Sequence, residues 1–123
     1  MSAGGSTPLH MAAAFLAMGG WAALANRAHG APAALTAGAV QGTLSALITL
    51  GLKRLVEALA GALPGPAGLI VPPLAAWAVS AGLLAAIHAA AGTPEILATI
   101  ALPNLVATGY AMACTLAVRR AKR

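Results

Sequence analysis

The chain has 123 residues, 60% of them hydrophobic and 7% charged, with seven Lys and Arg against two acids. So few polar side chains cannot cover a water-soluble domain, and the composition is that of a bilayer protein. It also excludes the soluble functions. The chain has no Asp and no GxSxG, HExxH or phosphate-loop pattern, so it is not read as an enzyme. The net charge of +5 comes without stacking aromatics on a polar scaffold, so nucleic acid is not the expected partner. Anionic lipid headgroups are, at about 1 kcal/mol per basic residue near the surface.

The expected fold is all-α: a compact bundle of four transmembrane helices forming one domain, multi-pass, with both termini on the same side. A spanning helix needs about 20 mostly apolar residues. The first candidate span covers residues 9–25 and ends at Asn26, Arg27 and His29. An Ala-x-Ala sequence, Ala23 to Ala25, resembles a signal-peptide cleavage site. No Lys or Arg precedes the apolar run, however, so the segment is read as a retained span.

The second span, residues 33–52, follows Pro32, which suits a first helical turn. It carries a polar stripe, Gln41, Ser45 and Thr49, repeating every four residues and therefore lying on one face. Gly38 and Gly42 form a GxxxG on nearly the same face, the small-residue pattern of close helix packing. This pair is the expected contact between copies, because a small bundle encloses little volume and a pathway calls for a homo-oligomer or a larger membrane complex.

Lys53 and Arg54 close the second span. The stretch from Arg54 to Leu63 can continue as an interfacial helix: Glu57 lies within reach of Lys53 and Arg54, and Leu55, Leu59 and Leu63 share a face. Six Gly and Pro between Pro64 and Pro73 then predict a helix break, read as an apolar interfacial segment. The third span covers residues 73–91. Thr93, Pro94 and Glu95 suit the N-cap, first position and favoured acid of the fourth, residues 94–118. Within it Pro103 predicts a kink beside Asn104. A basic tail, residues 119–123, ends the chain. A weak repeat at an offset of 62 aligns Gly30 to Leu35 with Gly92 to Leu97, suggesting two parallel hairpins.

Six of the seven basic residues fall on the side of the termini and only Arg27 on the other. The positive-inside rule places both termini in the cytoplasm of a bacterial inner-membrane type of protein. Trp21 and Trp77 suit the two interfacial belts. No Asp, Glu, Lys or Arg falls at mid-membrane depth, which counts against ion-coupled transport. Arg27, His29, His88 and Glu95 come to the outer ends of the spans and form the first candidate site, for an anionic group. The Gln41, Ser45, Thr49 stripe and Asn104 are the expected substrate path. No cofactor and no resident metal are expected, and lone Cys114 has no metal-type partner. Two functions fit: a small oligomeric carrier or flippase subunit for an amphiphilic or anionic small molecule, and a non-transporting subunit or holin-like lesion-former.

Overall fold

The computed structural model describes the backbone of residues 3–122 and the side chains of residues 8–122. Four helices, α1 (Ala3–Ala25), α2 (Ala31–Ala62), α3 (Ala67–Ala90) and α4 (Ile96–Ala121), account for nearly all of it, with one short 3-10 turn, Arg27–His29. No strand occurs among the described residues. Each helix is long and apolar enough to cross a membrane. The α1–α2 and α3–α4 connections lie at one end, here the loop end. The α2–α3 turn, the start of α1 and the end of α4 lie at the other, the terminal end. Gly30 and Gly92 take positive φ values of 96° and 75° in the two loop-end connections, a conformation that only glycine adopts cheaply.

Three boundaries differ from the sequence reading. First, α2 does not stop at Leu52. It runs through Lys53 and Arg54 to Ala62, and α3 starts at Ala67, so no separate segment lies between them; the connection is only Leu63 to Pro66. Pro72 and Pro73 are the sixth and seventh residues of α3, just past the first turn, so Gly68 O and Leu69 O go without their i→i+4 backbone donors. The carbonyls exposed by the turn find donors elsewhere. Arg119 gives Nη1–H to Leu63 O and Nη2–H to Gly65 O, both at 2.9 Å, and Lys122 Nζ reaches Gly61 O at 2.5 Å. Second, Arg119 and Arg120 therefore belong to the last turn of α4 rather than to a free tail. Third, α4 begins at Ile96 with Glu95 as N-cap residue, so Thr93 is not the cap. Lys53 pairs with Glu57 at 4.0 Å, as their i,i+4 spacing predicts.

Small and polar residues point inward and large apolar ones outward. On α3 the buried positions are Gly68, Pro72, Ala76, Ser80, Leu84 and His88, one every four residues, with Pro73 beside them. Leu16 and Leu97 are 73% and 81% exposed. Lipid tails solvate such leucines as well as a protein core does, so helix association rests on close packing and hydrogen bonds. The glycines supply the close packing. A Cβ on Gly19 would lie 2.9 Å from Gly38 O, and one on Gly42 would lie 3.0 Å from Phe15 O. The GxxxG of α2 is thus filled by α1 of the same chain and is not free for a second copy.

α2 packs against all three other helices, α3 against α4, and α1 against α4 over a shorter stretch. α1 and α3 do not touch among the described residues. The bundle is a rhombus in cross-section, with α2 and α4 across its short diagonal. A small core of Leu52, Val56, Ala76 and Ala111 closes it toward the terminal end.

Candidate functional site

The arrangement divides into a loop-end latch, a buried polar string and a lateral cleft. The latch ties α1 to α4. Asn26, fully buried just past α1, donates from Nδ2 to Ala22 O at 2.8 Å and to Thr99 Oγ1 at 2.7 Å. Its Oδ1 accepts the Glu95 backbone N–H at 3.0 Å, satisfying one donor at the start of α4. Outside this, His29 Nε2 meets Glu95 Oε2 at 2.8 Å, with both side chains nearly half exposed. Trp21 Nε1–H donates to Ala98 O at 2.9 Å.

Of the four residues expected to form an outer anionic site, the structure joins only His29 and Glu95. Arg27 turns back to donate to Leu24 O at 2.8 Å, covering the end of α1. His88 lies in a different place altogether, fully buried in the last turn of α3. No group of three metal-ligating side chains occurs among the described residues.

The polar string starts at Thr93. Its hydroxyl meets His88 Nδ1 at 2.7 Å, and His88 Nε2 meets Gln41 Oε1 at 2.8 Å. The Gln41 amide then donates to Ser45 Oγ at 2.7 Å, and Thr49 donates to Ser45 O at 2.7 Å. The α2 stripe therefore does face the interior, and its partner is His88 across the α2–α3 contact. Asn104 does not join it. Its Oδ1 accepts from the Ser80 hydroxyl, and its backbone oxygen accepts from Thr108, so it fastens α4 to α3 below the Pro103 position.

Toward the terminal end α1 and α4 diverge and leave a cleft of about 340 Å³. Its walls are small: Ala13, Ala14 and Ala17 on α1, Pro103 and Ala107 on α4. Its floor is Ser45, Thr49 and Leu84, and His10 and Tyr110 stand at its terminal end. Their rings meet edge-on with centroids 6.4 Å apart. The volume falls in the ~300–1,000 Å³ range of small-ligand sites. His10 lies at the opposite end of the bundle from the His29–Glu95 pair. Ser80 and Thr99 carried no signal in the sequence, since a lone hydroxyl in an apolar run fits many rotations of its helix, and Thr93 was read only as a helix cap.

No family model, curated protein or solved structure matches the chain.

Proposed function

We propose that this protein is a carrier or flippase-type membrane subunit that holds a single-chain amphiphile with an anionic head in the cleft between α1 and α4. The observation that carries the reading is the cleft itself. An apolar chain fits walls of Ala and Pro, and the small side chains of α1 keep the space open. Ser45 and Thr49 give the floor two hydroxyls for a head passing along it. Charge complementarity selects the sign of that head. Lys53 follows Leu52, which lines the cleft, and the other basic residues of that end lie beyond it. An anionic head drawn to that end leaves its chain directed into the cleft. One chain forms the whole cleft, so binding does not require a second copy.

Filling the cleft tests this. Ala14→Phe and Ala107→Phe each place a ring in the space without touching a hydrogen bond. In vesicles carrying a fluorescent single-chain phospholipid, the wild type speeds transfer between leaflets and both variants lose most of that increment. Equal rates in protein-containing and protein-free vesicles contradict transport and favour a non-transporting subunit. Undiminished rates in the filled variants contradict the cleft as the path.

A further inference from the structure

Ser45 lies furthest from the terminal end among the polar residues that line the cleft, and its neighbours fix what it offers. The buried string reaches it in one direction. Gln41 Nε2–H is given to Ser45 Oγ at 2.7 Å, which leaves Gln41 Oε1 as the acceptor 2.8 Å from His88 Nε2. A neutral ring meets both partners in the tautomer with its hydrogen on Nε2, since Nδ1 then accepts the Thr93 hydroxyl at 2.7 Å. His88 is thus a satisfied strut that holds the Gln41 amide one way round. Ser45 Oγ is already an acceptor within the protein. Its own hydrogen has no acceptor among the described residues, and an unmet hydroxyl hydrogen beside Ala and Leu side chains is costly.

Thr49 offers the opposite. Its hydroxyl donates to Ser45 O at 2.7 Å, so only its lone pairs are left for the cleft. The α2 wall therefore presents a donor at Ser45 and an acceptor at Thr49, four residues or about 6 Å apart along the axis. Lys53 continues the same row by one more turn toward the terminal end.

We propose that the cleft recognises the linkage between chain and head of its amphiphile: an ester or amide carbonyl accepts the Ser45 hydroxyl, and a hydroxyl or amide N–H next to that carbonyl donates to Thr49. The substrate class is then a single acyl chain joined through a carbonyl to a small anionic head, and not a plain alkyl or alkyl-ether amphiphile. This rests on the cleft as the amphiphile site.

Two arguments favour the linkage over the head as the partner of these hydroxyls. The first is charge. Ser45 stands about 12 Å along α2 from Lys53, and an ionised group brought that far would leave both water and the cations of the terminal end. A carbonyl is a strong acceptor without net charge. The second is order. Reading α2 from Ser45 to Lys53 gives donor, acceptor and cation in successive turns. An acyl amphiphile presents acceptor, donor and anion in the same sequence, from its carbonyl through the neighbouring hydroxyl or N–H to its head.

The test compares two probes in nanodiscs, a monoacyl glycerol phosphate and the alkyl-ether compound of equal chain length and identical head. Binding is read from the methyl signals of Met18 and Ile48, which line the cleft. The ester is expected to bind about tenfold more tightly than the ether, the value of about one hydrogen bond. In Ser45→Ala the ratio falls to near one while the ether affinity stays, which shows the cleft intact. In Thr49→Val the ester preference persists, and removing the probe's free hydroxyl, which weakens binding to the wild type, has no further effect. Where Ser45→Ala does not assemble, the wild-type ratio decides alone. Ring nitrogen NMR of His88 provides an independent arm, with the neutral ring expected to carry its hydrogen on Nε2. A hydrogen on Nδ1 would reverse the string, commit the Ser45 hydroxyl to Gln41 and overturn the proposal. Saturable binding with equal ester and ether affinities overturns recognition of the linkage and leaves the cleft reading standing. No saturable binding of either probe overturns the cleft reading, and this proposal with it.

Discussion

Asn26 holds more of the loop end together than any charged residue there. It bridges Ala22, Thr99 and the first N–H of the α4 cap, and all three partners lose a bond in Asn26→Ala. In bilayers such polar contacts are worth about 0.6–2 kcal/mol each, and a buried donor left unpaired adds to the loss. Asn26→Ala is expected to lower stability by about 2 kcal/mol in a reversible detergent titration. Arg27→Ala removes one exposed bond and is expected to cost under about 0.5 kcal/mol. A larger loss for Arg27 than for Asn26 would restore the outer cation to the central place the sequence suggested. The sequence pointed to Arg27 because charge is visible in a string of letters. The reach of an Asn across two helices is not, since it depends on their rotation and register. The same limit hid the pairing of Gln41 with His88, although the i, i+4 spacing of Gln41, Ser45 and Thr49 correctly placed that stripe on one inward face.

At the scale of elements, the α1–α2 contact is the most extensive in the molecule, and glycine makes it possible. Gly42→Val sets a branched side chain against Phe15, whose oxygen and ring stand 3.0 and 3.1 Å from the new Cβ. Overpacking of this kind costs about 1–3 kcal/mol. The matched control is Gly51→Val on the same helix, where nothing lies within 4 Å of a Cβ. Thermal denaturation in lipid is expected to separate the two, with Gly42→Val clearly less stable and Gly51→Val near wild type. Equal losses would mean that the cost is propensity and not contact. At the terminal end, Arg119→Ala leaves the Leu63 carbonyl without its side-chain donor and takes one of two donors from Gly65 O, which keeps the Gly68 N–H, and is expected to speed hydrogen exchange at the α2–α3 turn. Unchanged exchange there would contradict the clamp. That clamp also explains why the 52–73 stretch was misread. The four spans were legible from apolar run length alone. The Pro- and Gly-rich segment looked like a long break because its carbonyl donors come from a helix more than fifty residues away.

For the whole molecule, two constraints act on α4. It is latched to α1 at the loop end and clamped to the α2–α3 turn at the terminal end, so the cleft opens only where α1 and α4 part between them. α2 places Lys53 about 33 Å from its start at 1.5 Å per residue, close to the ~30 Å hydrocarbon thickness. The rest of α2 then runs beyond the hydrocarbon with Glu57 and the ends of α3 and α4. On that placement the cleft would fall within the hydrocarbon, open sideways to lipid, which suits an occupant that arrives from the bilayer rather than from water. The most direct measurement of this account is paramagnetic broadening of methyl signals in nanodiscs by a nitroxide-labelled single-chain anionic amphiphile. Broadening is expected to saturate at Met18, Ile48 and Val106, which line the cleft, and to reverse with unlabelled amphiphile. Broadening that never saturates and is equal at lipid-facing Leu83 and Leu97 would show only ordinary contact with the bilayer, and would contradict a binding cleft.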